Sequence, residues 1–167
     1  AMYDSAVARI EQSLQYATPY QTRVAHSTLA RIHTYAGEYQ EALQSAQMGL
    51  EPGDPPFTSL HNSQSANEWY FAANEGRVQW RANERFPGYV DDNPEEANRL
   101  PMFTLEGRAG TEWSIQDKYQ TRDAPITFID WQENHLLLAE MGLRTGDSSV
   151  DPEALVNEVR DSHGISP

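Results

Sequence analysis

Apolar positions in the first third of the chain recur at three- and four-residue intervals, the spacing that lines one face of an α-helix. Tyr3, Val7, Ile10 and Leu14 predict an amphipathic helix over roughly 4–16, ended by Thr18-Pro19. Val24, Ala25, Thr28, Leu29, Ile32, Tyr35 and Ala36 share a second face over 22–36, with Arg23 and Arg31 away from it and Gly37 placed to close the helix. Tyr39, Ala42, Leu43, Ala46 and Leu50 continue the period until Pro52-Gly53-Asp54-Pro55-Pro56 stops it. The pattern returns from Trp131 to Asp147, where apolar residues occupy most of the circumference and Glu133, Glu140 and Arg144 form one narrow charged stripe. Such a helix is expected to be buried among others. A last helix is predicted after Asp151 as N-cap, with Pro152 at its first position, apolar Leu155, Val156 and Val159, and Gly164 beyond its end.

Between these helical regions the periodicity breaks down. Residues 52–125 hold three of the four tryptophans and seven of the prolines. Trp69-Tyr70-Phe71-Ala72 and Ile126-Thr127-Phe128-Ile129 predict short strands. Asn93-Pro94-Glu95-Glu96 predicts a single capped helical turn. The remainder reads as loops, which on a rigid scaffold are where binding residues usually lie.

Charge narrows the partners. Twelve basic residues against 25 acidic ones give a net charge of −13, and phosphate binding needs clustered Lys and Arg, so nucleic acid is not expected. Lys118 is the single lysine beside eleven arginines, a balance that also suits a high-salt environment, where self-repulsion is screened. The absence of cysteine rules out disulfides, thiolate metal sites and a cysteine nucleophile. No stretch of 18 apolar residues is present to span a membrane as a helix.

Leu29-Ala30, Gly37, Tyr39 and Ala42-Leu43 stand at the spacing of a tetratricopeptide unit, with His26 at the usual aromatic position and Gly49 where the closing alanine would be. LARIHTYAGE (29–38) aligns without a gap on LAEMGLRTGD (138–147), so two helical hairpins flank the insertion. With these placed, the chain resembles the SusD/RagB family of surface nutrient-binding lipoproteins. The resemblance is carried by Arg23, Tyr35, Gly37 and Glu38; by Lys118, Tyr119, Asp123, Pro125, Glu133, Leu136, Ala139 and Glu140; and by Asn157, Val159, Arg160 and Gly164. Family members are several times longer and begin with a lipidated cysteine, so this chain is expected to be an excerpt or a reduced homologue.

The resemblance implies a mainly α fold: a single SusD-like domain over 1–167, with tetratricopeptide-like hairpins at about 22–51 and 131–163 and a loop-rich insertion at about 52–125 containing a few short strands. It implies non-catalytic binding of an oligosaccharide or related nutrient at the bacterial outer-membrane surface, with a TonB-dependent, SusC-like transporter as partner and no cofactor. A helical-hairpin module that binds another polypeptide is the alternative, and a glycoside hydrolase a distant third.

Candidate ligand-binding residues lie in the insertion. Trp80, Tyr89 and Trp113 stand beside polar or glycine-rich neighbours, and a flat ring on a loop can stack on a sugar's apolar face while nearby polar groups bond its hydroxyls. Arg85 joins them, although Arg81 and Arg85 would equally balance local acids. Trp69, inside a predicted strand, is expected to fill the core. Glu133 and Glu140, about 10.5 Å apart by helix rise, have the separation of an inverting acid/base pair, but an ion-paired stripe with Arg144 is the expected role. Asp91, Asp92, Asn93, Glu95 and Glu96 supply oxygen ligands without the spaced loop of a calcium site, so helix capping is expected there. The five histidines lack ligand spacing, and no metal is expected.

Overall fold

Thr18-Pro19 begins the second helix as well as following the first. In the computed structural model, which describes residues 2–62, 64–74, 78–107 and 110–166, α1 is Met2–Leu14 and α2 is Pro19–Ala36. The Thr18 side chain accepts from the Gln21 amide, and the Gln21 side chain accepts from the Thr18 amide at 2.9 Å. This reciprocal cap, with Pro19 at a position that needs no N–H, starts α2 a turn earlier than its apolar face alone predicts. Gly37 then ends it at φ +80°, a left-handed conformation that a Cβ would oppose.

The remaining elements are α3 (Tyr39–Ala46), β1 (Phe57–Ser59), α4 (Glu68–Asn74), α5 (Arg85–Asp92), a 3₁₀ turn (Pro94–Asn98), β2 (Met102–Glu106), β3 (Glu112–Gln116), β4 (Ile126–Ile129), α6 (Trp131–Thr145) and α7 (Pro152–Ser162). The fold is therefore mainly α with a few short strands, β1 pairing with β4 and β2 with β3. The chain forms two compact units. One runs to Phe57 and resumes over Thr127–Val159; the other is Thr58–Ile126 with the residues from Arg160 onward.

In the first unit α2, α3 and α6 pack together, with α1 against α2. Val24, Leu50 and Ile129 form one buried cluster, flanked by Tyr20 and Trp131; Ala42, Leu43 and Met141 form another, flanked by Leu138 and Val150. Leu50, Ile129 and Met141 are fully enclosed, and burying each such side chain stabilises the unit by roughly 1.5–3 kcal/mol. Polar groups fix the approach of the helices. The Arg31 guanidinium donates to both oxygens of Glu133 at 2.5 and 2.6 Å and to the Phe128 carbonyl at 2.6 Å, joining α2 to the start of α6. Buried Asn134 donates to the carbonyls of Ala46 and Leu50, and the Ser27 hydroxyl accepts from the Leu50 amide. Gly49 lies against both side chains, and this explains the glycine where a tetratricopeptide unit would have alanine.

The proline-rich stop after α3 is also anchored. Asp54 accepts from Arg23, whose hydrogen bond holds the Asp54 carboxyl below the usual carboxylate range, and Tyr20 donates to the Pro55 carbonyl. Toward the C-terminus, Asp130 caps α6 through the Glu133 amide, and Asp151 caps α7 through the Ala154 amide. One expectation fails here. α6 is not enclosed on all sides, since Leu136 and Leu143 are 44% and 72% exposed, because α2, α3 and Val150 pack on it and leave the stripe carrying these two leucines uncovered.

In the second unit, β2 and β3 are antiparallel with Met102 opposite Gln116, Leu105 opposite Trp113 and Glu106 opposite Glu112. Ile115 is fully buried, and α4 packs on β3 through buried Ala72 and Ala73. The tail folds back on the 3₁₀ turn: the Ser166 amide donates to Glu95 at 2.7 Å, Arg160 donates to the Ser166 carbonyl, and Ile165 is buried. α5 and the β2–β3 hairpin occupy stretches that the sequence presents as loops, because neither has a long enough periodic window to announce itself.

Candidate functional site

The segment Trp69–Ala72 is not a strand. Asn67 is wholly buried, and its side-chain oxygen accepts from the amides of Trp69 and Tyr70 at 2.9 and 3.2 Å, the geometry of a helix N-cap. Its amide group donates onward to the Ala124 carbonyl at 2.9 Å, and its backbone N–H to the Arg122 carbonyl at 2.7 Å. α4 is thereby locked at its first turn, with Ala72 and Ala73 buried and Trp69 and Phe71 outward.

Trp80 returns to this helix. Its amide and that of Gln79 both donate to the Ala72 carbonyl, at 3.3 and 2.8 Å, and the Ala82 amide donates to the Ser114 carbonyl of β3 at 2.7 Å. Across the helix end, Asn74 and Gln116 exchange hydrogen bonds. These backbone anchors set the Trp80 ring against Trp69, with centroids 4.8 Å apart and planes inclined at 58°. Trp69 is 50% exposed and Trp80 46%. Phe71, also exposed, lies under the Arg122 guanidinium at 5.8 Å. Two indoles held at an angle by a rigid frame, each with about half its surface in solvent, form a stacking platform for a flat apolar face.

The expected core role of Trp69 is thus corrected: a helix directs it to the surface, where a strand would have buried it. A signal was present in Asn67 followed by Glu68 and an Ala-Ala-Asn run, the marks of a short capped helix.

The other candidates fall in different places. Tyr89, on α5, packs edge-on against Phe86 at 6.2 Å, and Arg85 lies over the Phe86 ring at 4.7 Å. Trp113 is partly buried on β3, its ring so close over Gly107 that a Cβ there would lie 2.6 Å away. Among the described residues neither Tyr89 nor Trp113 makes a ring contact with the tryptophan pair. Glu133 is held by Arg31 and Glu140 by Arg144, so each carboxylate of the supposed acid/base pair is tied to its own arginine. Glu96 pairs with Arg99, Glu95 holds the tail, and Asn93 caps the 3₁₀ turn. Among the described residues no group of three or more His, Asp or Glu is arranged to hold a metal.

The first unit has a larger open groove of about 460 Å³, lined by Ile10, Tyr16, Val24, Ala25 and Phe57. Most of its polar groups are already engaged, the Ser13 hydroxyl by the Ile10 carbonyl. The Thr28 hydroxyl donates to the Val24 carbonyl and the Gln21 side chain serves the α2 cap. Few free donors or acceptors converge there.

No protein-family model and no curated protein matches the chain. Its fold is similar to the crystal structure of a proposed sugar binding protein from Bacteroides vulgatus ATCC 8482, with a TM-score of 0.74 at 16% sequence identity. The likeness covers 97% of this chain and 45% of that one, so this chain spans less than half the length of the solved protein.

Proposed function

We propose that this chain is a carbohydrate-binding protein of SusD/RagB type, and that the Trp69–Trp80 platform stacks on the ligand's sugar rings. The observation that carries this is the pair of half-exposed indoles 4.8 Å apart, fixed from both sides by backbone hydrogen bonds. The sugar-binding designation of the structural neighbour supports the reading. The sequence resemblance extends it to capture of an oligosaccharide at the outer-membrane surface, without catalysis, for transfer to a TonB-dependent transporter. Tyr89 and Arg85 on α5, and Trp113 on β3, are proposed as further contacts along a longer ligand.

Calorimetric titration with a panel of oligosaccharides tests this. Trp80→Ala and Trp69→Ala should each weaken binding about tenfold, equivalent to about 1.4 kcal/mol, with circular dichroism unchanged. Binding that survives both changes would remove the platform from the site. The exposed Leu136 and Leu143, seven residues apart on α6, favour a second reading in which the hairpins bind another polypeptide. A complex with a polypeptide lost on Leu143→Glu, in a chain that binds no glycan, would favour it.

A further inference from the structure

We infer that the ligand of the tryptophan platform is acidic, an oligosaccharide carrying uronate carboxylates, with Arg81 and Arg85 as their counter-charges. The inference rests on the sugar-binding reading and adds the chemical class of the sugar. It begins from how this chain uses its few cations. With 12 basic residues against 25 acidic ones, carboxylates outnumber cations about two to one. Arg23 pairs with Asp54, Arg31 with Glu133, Arg99 with Glu96 and Arg144 with Glu140, while Arg160 is engaged by the Ser166 carbonyl.

Arg9 instead donates to Gln12 at 3.5 Å, and the segment that follows Trp80 holds two more arginines without a carboxylate partner among the described residues. Arg81 is exposed and, among the described residues, makes neither an ion pair nor a side-chain hydrogen bond. Arg85 is likewise exposed without a carboxylate partner. Its guanidinium uses one flat face on Phe86 at 4.7 Å, which leaves the N–H groups at its edge directed away from the ring. Stacking of this kind also reduces the freedom that an arginine loses when it grips a ligand.

The backbone here is held in place. The Ala82 amide is bonded to Ser114, and Asn83 accepts from the Arg85 amide at 3.1 Å. Arg81, Ala82, Asn83 and Glu84 line a cavity of about 300 Å³ immediately after the platform tryptophan in the chain. A guanidinium binds a carboxylate through two parallel N–H···O bonds, the strongest common form of the interaction. Stacking rings followed in the chain, one and five residues after Trp80, by guanidinium groups without carboxylate partners would match a ring that is apolar on one face and anionic at one edge, and a uronate is such a ring.

Two features oppose an anion and set the terms of the test. Glu84 lines the same cavity without pairing to Arg81. The whole chain carries −13, a repulsion screened beyond about 8 Å at physiological ionic strength. The attraction therefore has to be local, and neutralising Glu84 should strengthen it.

The experiment is calorimetry of the full chain at 0.15 M salt with two sets of probes. The acidic set is hexamers of galacturonate and of alginate; the neutral set is maltohexaose, cellohexaose and xylohexaose. The expected result is binding of an acidic hexamer at least about tenfold tighter than any neutral one. Arg81→Ala and Arg85→Ala should each remove most of that preference, and Glu84→Gln should increase it, while Trp80→Ala weakens acidic and neutral ligands alike. Neutral hexamers bound as well as acidic ones, or acidic binding indifferent to both arginine changes, would overturn the inference and leave the sugar-binding reading standing. Binding of neither set would overturn both. Arg81→Lys and Arg85→Lys guard against a folding artefact: they keep the charge but lose the paired geometry, and should retain an intermediate preference.

Discussion

Gly49→Ala is the change for which the structure gives the sharpest expectation. A Cβ built on Gly49 would lie 2.5 Å from the Ser27 hydroxyl and 2.6 Å from Asn134 Cγ, and closer still to Asn134 Oδ1. Ordinary contact would require the Asn134 amide to retreat by about 1 Å, as packed interiors have little slack to absorb an added methyl. That movement would break its bonds to the Ala46 and Leu50 carbonyls, at 2.9 and 3.1 Å, in a side chain that is 2% exposed. Overpacking costs about 1–3 kcal/mol, and a buried amide left unpaired about 1–3 kcal/mol. With partial relaxation, a loss of about 2–4 kcal/mol is expected. At a urea slope of about 2 kcal/mol/M this lowers the unfolding midpoint by roughly 1–2 M, read by circular dichroism at 222 nm. A double-mutant cycle isolates the cause: in an Asn134→Ala background, where only Ser27 still crowds the new methyl, Gly49→Ala should cost at least about 1 kcal/mol less. A penalty below about 0.5 kcal/mol in the wild type, or the same penalty in both backgrounds, would refute the reasoning.

Two further outcomes are expected. Burial lowers the His26 pKa, and its Nδ1 has no partner, so the unfolded chain takes up a proton near pH 6.5 while the folded chain resists it. The stability this histidine contributes is complete above about pH 6.5 and is lost as pH falls through and below that value. His26→Phe should therefore lose less stability than wild type between pH 7.5 and 5.5, and equal losses in urea titrations would count against this assignment. Asn67→Ala removes the α4 cap and the bond to Ala124, and should destabilise the unit carrying the platform by about 1–3 kcal/mol. Because Asn67 is wholly buried, any effect on sugar affinity should come through disorder of Trp69, visible as a red-shifted tryptophan emission; unchanged stability and emission would show that the cap does not hold the platform.

The sequence by itself determined where the helices of the first and last parts of the chain run. Their apolar faces, caps and closing glycines are local signals, and Gly37, Asp151 and Pro152 act where their positions in the chain say they should. It also determined the charge balance, which is simple counting. Tertiary structure alone decided what the tryptophans do. Trp69 reads as a buried strand residue until Asn67, tied to Ala124 57 positions away, sets a helix that turns it outward. It meets Trp80 only because the Ala72 carbonyl draws the chain back. Likewise Glu133 finds Arg31, 102 residues earlier, in place of the stripe neighbour Arg144. Periodicity and capping are short-range effects that a single sequence displays. Which ring faces solvent, and which cation is left without an acid, depends on contacts between segments far apart in the chain, and those exist only once the chain has folded.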